Sequence, residues 1–414
     1  PRITPSLPTG PRSTTYQRIV SGPGGVDPYA AAVSDVYQDL FEGGSYTGKG
    51  IYDVDIFEAA LEGKVPENAL LSHDLFEGVF ARAGLLTDVD LFEKFPANYE
   101  VAARRRHRWV RGDWQLLPWI LGVACDAAGH RQKAQIPTES RWKMIDNLRR
   151  SLVAPSAFFA AVASWVLPAA PALPWTGLAV GSAAIPAFIP VLDNLIPRRS
   201  GISKRSHLRA VGRDLFVASS QTLLAVTMLA DRAWLMADAI VRTLGRLCLT
   251  RRNLLQWVTA AQAGNGANPR LRASYRDLRW GVVVAVGAGS LCALLKPEAW
   301  PVAAPFVLLW MLAPAFAWRI SFPLDSAEAQ ALSPQEMRSL RLVARRTWRF
   351  FETFVDAVDH ALPPDNFQED PEPVRAHRTS PTNMGLYLLS TMAAHDFGWI
   401  GASDTVQRLE ATLE

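Results

Sequence analysis

Four apolar stretches, at 152–167, 174–196, 281–295 and 300–318, constrain this chain more than any other feature of its sequence. Hydrocarbon offers no partner to a peptide group, so stretches of this kind are expected to cross a bilayer as helices; the first and third lie near the lower limit of about 17 residues. Composition agrees: 49% of the 414 residues are hydrophobic, too many for an ordinary soluble protein of this size. The loop at 168–173 carries no charge. Arg198, Arg199, Lys204, Arg205 and Arg209 follow the second stretch, and Arg319 follows the fourth. By the positive-inside rule both large terminal regions are expected to be cytoplasmic, with two short hairpins reaching outward.

The formal charge is only +4, and Arg gathers beside the apolar stretches, which argues for membrane topology and against a nucleic-acid partner. Cys125, Cys248 and Cys292 are scattered and define neither a disulfide framework nor a metal site. A reducing cytoplasmic setting is compatible with them. The first residue is Pro1, without Met or signal peptide, so the sequence is expected to be an internal portion of a longer polypeptide.

Residues 1–139 mix short strand-like and helical patterns, broken at Gly22-Pro23-Gly24-Gly25 and Gly43-Gly44, and predict part of an α/β domain. Leu70-Leu71-Ser72 is expected to end a strand, leaving Asp74 at the carboxyl edge of a sheet. The stretch 140–148 has Trp142, Ile145 and Leu148 on one helical face and predicts a helix lying at the membrane surface. Residues 206–260 read as long helices whose apolar Leu223, Met228, Leu229, Trp234, Leu235 and Ala239 are interrupted by Asp231, Arg232, Asp238 and Arg242. Charge at that density predicts surface helices, with a re-entrant segment as the other reading. From 326 the pattern returns to soluble helices, one starting at Pro334 and another over 347–362 with Phe350, Phe351, Phe354 and Val358 inward, stopped by Pro363-Pro364.

Two strings carry candidate chemistry. Leu71-Ser72-His73-Asp74 holds an isolated acid, and Arg105-Arg106-His107-Arg108-Trp109-Val110-Arg111-Gly112-Asp113-Trp114-Gln115 holds a basic and aromatic cluster. Taken alone, Asp74 also reads as a helix N-cap, the cations as a juxtamembrane patch facing anionic lipid, and Trp109 and Trp114 as interfacial anchors. Asp53-Val54-Asp55 and Asp88-Val89-Asp90 both spell an Asp-x-Asp string, a pattern too cheap to define a metal site.

An isolated acid, an Arg-Trp pair and then a bilayer anchor resemble the order in processive membrane glycosyltransferases. The chain is still more similar to the cyclic β-1,2-glucan synthase family, along 27–29, 33–41, 48–55, 106–115, 146–152, 255–262 and 377–389. One departure is Arg105, where the usual pattern has Gln three positions before the Arg of the Arg-Trp pair.

The resemblance implies an α/β partial GT-A-type glycosyltransferase domain over 1–139, then an α-helical transmembrane bundle with interfacial helices over 140–325, then the start of an all-α (α/α) glycoamylase-like barrel over 326–414. It implies UDP-glucose as donor, a growing β-glucan as acceptor, a bacterial inner membrane and the remaining domains of the same polypeptide as partners. A divalent metal, Mg or Mn, is implied with its ligands upstream, none being assigned here. Inversion at the anomeric carbon needs a base for the acceptor hydroxyl, a role that falls to Asp74. Arg108 would meet the charge of the leaving diphosphate and Trp109 would stack on a sugar ring, with Arg105, His107, Trp114 and Gln115 completing the donor and acceptor contacts. Tyr52, with Tyr46 as competitor, is the candidate for a first acceptor hydroxyl on the protein. Asp365, Asn366, Arg378 and Asn383 are candidates for a sugar groove, Arg378 and Asn383 equally for loop braces. The alternatives are another osmoregulated periplasmic glucan or cellulose-like synthase and, from a different class, a non-catalytic membrane scaffold or glucan-export component.

Overall fold

The computed structural model describes residues 2–6, 8, 13–21, 32–64, 69–71, 74–86, 89–123, 136–196, 203–256, 270–323 and 333–414, and it is mostly helical. Two compact units divide at Ser326/Ala327. In chain order the first unit contains β1 (Arg2–Pro5), α1 (Thr15–Val20), α2 (Ala32–Phe41), α3 (Val54–Leu61), α4 (Asp74–Ala81), β2 (Asp90–Glu93), α5 (Tyr99–Gln115) and α6 (Leu117–Ile120). Then come α7 (Thr138–Val166), α8 (Ala172–Asp193), α9 (Lys204–Thr227), α10 (Leu229–Gly245), α11 (Leu271–Asp277), α12 (Arg279–Leu295) and α13 (Trp300–Ile320).

The α/β domain expected over 1–139 is not what folds. Among the described residues this region has one parallel strand pair, β1 with β2 in register Arg2 to Asp90, and its other regular elements are helices. The reason is visible around Asp74. Leu75, Phe76, Val79 and Phe80 recur at helical spacing, and Phe76 is fully buried against Trp119 at a centroid separation of 5.2 Å. Asp74 therefore opens α4, with Glu77 also in its first turn, where acidic groups suit the helix dipole; Leu70 and Leu71 before it are not in a strand. Asp53 is a helix N-cap: its Oδ1 accepts from the Ile56 amide at 3.0 Å, so the first Asp-x-Asp string starts α3. Of the second string, Asp88 lies outside the described residues and Asp90 begins β2.

Ala172–Asp193 and Pro297–Ile320 are long and apolar enough to cross a membrane. Leu271–Asp277 and Arg279–Leu295 meet the same test together but bend by 67° at Leu278. The expected surface helix at 140–148 and the expected first span at 152–167 are one continuous helix, α7, running through Pro155. Met144 and Leu148 of its polar half are buried, whereas Trp142 is exposed.

Small residues set the packing of these helices. Ala285 and Ala288 of α12 and Ala303 of α13 are buried with Phe158, Trp165 and Trp310 in one core, where small side chains let backbones approach. Gly281 brings α12 onto α10: a Cβ there would lie 2.8 Å from that of Asp231. Lys296, buried between α12 and α13, donates to the carbonyls of Ser164, Leu167 and Ala170 at 3.2, 3.0 and 2.6 Å. One ammonium so meets orphan carbonyls at the end of α7 and in the turn to α8.

The second unit contains α14 (Pro334–Phe354), β3 (Phe367–Gln368), β4 (Val374–Arg375), α15 (Pro381–Asp396) and α16 (Ala402–Leu413). A Ser333/Glu336 capping box starts α14. The helix expected over 347–362 is the end of α14, which stops at Phe354; Val358 lies beyond it, exposed, while Trp348 and Phe351 pack with Tyr387. Asp365 accepts from Asn383 Nδ2 at 3.1 Å and from Arg378 Nε at 3.1 Å, so these three expected groove residues brace one another. Arg378 and Asn383 together hold the Asp365 carboxyl below its usual range, the Asn383 bond being the larger cause.

Replacing Lys296 with Met strands its carbonyls in a dry site, and a cost of about 3 kcal/mol is expected. Thermal unfolding in detergent checks this: a clearly lowered transition for Lys296→Met is expected, with Lys296→Arg in between.

Candidate functional site

Helix α5 organises the site. Asn98 caps it by accepting from the Val101 amide at 2.9 Å, and Tyr99, Ala103 and Val110 form its buried edge. The remaining faces carry the charges, and each meets a different part of the protein.

Arg105, Arg108, Trp109 and Gly112 share one face, at helical spacing. The Arg105 guanidinium lies 4.8 Å from the Trp109 ring centroid, and its Nη1 donates to Glu93 Oε1 at 3.1 Å. The other Glu93 oxygen pairs with Lys49 Nζ at 3.1 Å. Lys49 stands beside Gly48, whose φ of +78° is open to glycine and whose missing Cβ would lie 2.7 Å from Asp74 Oδ2. A contiguous path thus runs from the Asp74 carboxylate, over Gly48 and Lys49, through Glu93 and Arg105, to Trp109.

Tyr46 and Tyr52 sit on the same loop. Their rings meet edge to face at 6.2 Å, and the Tyr52 ring lies tilted against that of Phe57 at 4.6 Å. Burial first, then the neighbouring Tyr52, Glu77 and Asp74, push the Tyr46 phenol up to about 12; a hydrogen bond joins the two phenols. Tyr52 is half exposed. Glycine is required at position 78 as well, since a Cβ there would lie 2.7 Å from Tyr46 Cβ.

The other predicted residues of the string are engaged within the protein. His107 Nε2 is 2.9 Å from Asp238 Oδ2, and Arg242 donates to both oxygens of Asp238 at 2.6 and 3.1 Å. The His107 bond, joined by Arg242, lowers the Asp238 carboxyl to about 2. Trp114 Nε1 donates to Ser151 Oγ at 2.9 Å. Gln115, buried, accepts from the Leu71 amide at 2.7 Å and donates to the Leu254 carbonyl at 3.1 Å. The structure brings Asp74, Arg105 and Trp109 onto one connected path, with Arg108 on the same helical face, and turns His107, Trp114 and Gln115 toward α10, α7 and the 251–256 segment.

Beneath α5, the Tyr99 hydroxyl donates to Asp231 Oδ2 at 2.8 Å, in a cluster with Tyr16, whose ring meets that of Tyr99 edge-on. Burial raises Asp231 to about 6, while the Arg106 charge, with burial, lowers Arg232 to about 10. Among the described residues no group of three or more His, Cys, Asp or Glu side chains is placed to hold a metal ion.

Sequence reasoning missed Lys49, Glu93, Arg111 and the Tyr99–Asp231 pair as members of this arrangement. For Lys49 a signal existed, a cation between two glycines in a stretch already singled out. For Glu93 and Asp231 none did, because their partners are distant in sequence.

The fold and site together define a helical chain with membrane-length apolar helices and an arginine-rich helix braced against an acid-bearing helix. No family model matches it. Over all 414 residues the chain is 44% identical to cyclic beta-(1,2)-glucan synthase NdvB of Rhizobium meliloti (strain 1021), spanning 14% of that protein's length. This match along the whole of the chain supports its assignment to the cyclic β-glucan synthase family.

The raised Asp231 carboxyl makes stability depend on pH. Below its ordinary value of 3.8 both folded and unfolded chains hold the proton; between 3.8 and about 6 only the folded chain does, so stability falls as pH rises through that window. Roughly 3 kcal/mol is expected to be lost by pH 7. Asp231→Asn keeps an acceptor for Tyr99 and is expected to flatten this slope in chemical unfolding in detergent between pH 4 and 7.

Proposed function

We propose that this chain is part of a membrane-bound, inverting, processive glucosyltransferase that makes β-1,2-glucan from UDP-glucose. The observation that carries the reading is the match of all 414 residues to 14% of a protein named as a cyclic β-(1,2)-glucan synthase, in a chain whose Asp74, Arg105 and Trp109 lie along one path. The inner membrane is the proposed location, supported by the two helices of membrane-crossing length, with the large terminal regions cytoplasmic where the sugar nucleotide is found. Residues 1–139 are assigned to transfer, 140–325 to the membrane region and 326–414 to the opening helices of a glycoamylase-like domain.

In this reading the Asp74 carboxylate takes the proton from an acceptor hydroxyl as its oxygen attacks the anomeric carbon of glucose. A new C1–O bond forms on the opposite side from the diphosphate, the old C1–O bond breaks, and UDP leaves with its electron pair. Arg108, on the face shared with Arg105, meets the charge gathering on the diphosphate. Trp109 presents its ring to the C–H side of the acceptor sugar, and the Arg105 guanidinium above it fixes its orientation. A divalent metal, Mg or Mn, would neutralise part of the same charge. The described residues do not fit one, so its ligands are assigned to other parts of the polypeptide and no step is routed through it.

Tyr52 is proposed as the first acceptor. Its half-exposed phenol is hydrogen-bonded to Tyr46, and Tyr46 in turn neighbours Asp74.

The test uses the full-length parent in membranes with labelled UDP-glucose and divalent metal. Asp74→Asn is expected to lower incorporation into β-1,2-glucanase-sensitive product by about 10²- to 10⁴-fold. Tyr52→Phe is expected to abolish protein-linked label. Equal label in parent and Asp74→Asn moves the base elsewhere, and no label in the parent favours a scaffold or export component.

A further inference from the structure

Asp74 is preceded by a short segment, 69–71, and α10 is followed by a tight hook, 251–256. Both are held by α5. The hook leaves α10 through a π-turn, Arg246–Thr250, and reverses with Arg251 and Asn253 at φ of 50° and 55°, the left-handed region that costs energy outside glycine. Such a conformation persists only where its surroundings hold it.

The holding groups are specific. Arg111, 6% exposed, donates from Nη1 to the Gln256 carbonyl at 2.7 Å and from Nη2 to the Leu254 carbonyl at 3.0 Å. Arg246 donates to the Asn253 carbonyl at 2.7 Å. Gln115, 1% exposed, adds a second donor to the Leu254 carbonyl and, with its own oxygen, accepts the Leu71 amide three residues before Asp74. A primary amide is the side chain suited to this place, because it offers a donor and an acceptor at once to a carbonyl on one side and an N–H on the other. Carboxylate or ammonium would satisfy one and strand the other.

We propose that Gln115 and Arg111 are positioning residues that tie the lead-in of Asp74 to the 251–256 hook, so that displacement of the hook moves the base. Gln115 touches neither donor nor acceptor in this assignment. It acts through Leu71, and Arg111 acts through the shared Leu254 carbonyl. The inference rests on the reading of Asp74 as base for its effect on rate, but not for the mechanical link itself.

The experiment compares the full-length protein with its Gln115→Met and Arg111→Met forms by hydrogen–deuterium exchange in detergent, and by initial-rate kinetics with UDP-glucose. The Leu71 amide reports directly on the Gln115 bond, and the Gln256 amide, donated to the Asn253 carbonyl, reports on the hook. Faster exchange in both segments is expected from either substitution, with kcat lowered at least tenfold and the KM for UDP-glucose within about twofold. If Arg111→Met loosens the hook while Leu71 stays protected, the segments are independent and the proposal is overturned. A raised KM with unchanged kcat in Gln115→Met would overturn it too, because Gln115 would then contact substrate. Should Gln115→Met not fold, Gln115→Asn, with both groups present but too short to span, is read in the same way. If Asp74→Asn keeps full activity the base reading fails, and the exchange measurement still decides whether the link exists.

Discussion

A helix with five arginines and a histidine, packed on its neighbours along most of its length, is stable only if its charges find partners, because an unpaired charge away from water is costly. That requirement on α5 shapes the first unit. Glu93 answers Arg105, Asp277 answers Arg104, Asp238 answers His107, and backbone carbonyls of the hook answer Arg111. Each partner comes from a different element, so satisfying one helix fixes β2, α10, α11 and the hook around it. The Glu93–Lys49 pair in turn lays the Gly48 loop against Asp74.

The membrane-length helices meet the opposite constraint. They carry few polar groups, and several polar groups of the bundle they join find partners within it. Lys296 spends its donors on carbonyls at the end of α7 and in the following turn, Trp310 Nε1 donates to the Val226 carbonyl at 2.9 Å, and Trp165 Nε1 to Thr176 at 2.8 Å. Alanine and glycine at the contacts allow the helices to approach, and the Gly281–Asp231 contact sets α12 directly on the helix that pairs with α5. Helices of membrane-crossing character and the arginine-rich helix are therefore linked through α10.

Much of this was legible in the sequence where a long pattern carried it. The stretches at 174–196 and 300–318 show as helices because an apolar run of that length admits little else, whereas the shared face of Arg105, Arg108, Trp109 and Gly112 emerges only with helix α5 itself. Short patterns were less informative. Leu70-Leu71-Ser72 reads as a strand end, yet Leu70 and Leu71 are not in a strand, and what decides is the burial of Phe76 against Trp119, a contact invisible in a linear reading. The polar stretch 140–148 and the apolar stretch after it fused into α7 because no strong breaker separates them and Pro155 is accommodated within the helix. Residue types suggested chemistry for His107, Trp114 and Gln115, but their partners, Asp238, Ser151, Leu71 and Leu254, are set by tertiary structure.

The central claim is that Asp74 and Trp109 are held as one unit through Lys49, Glu93 and Arg105. A double-mutant cycle on kcat/KM for UDP-glucose, using Glu93→Gln and Arg105→Met in the full-length protein, tests it most directly. Coupling of about 1 kcal/mol or more is expected, the double variant losing little beyond the worse single one. Simple additivity of the two losses would contradict the account.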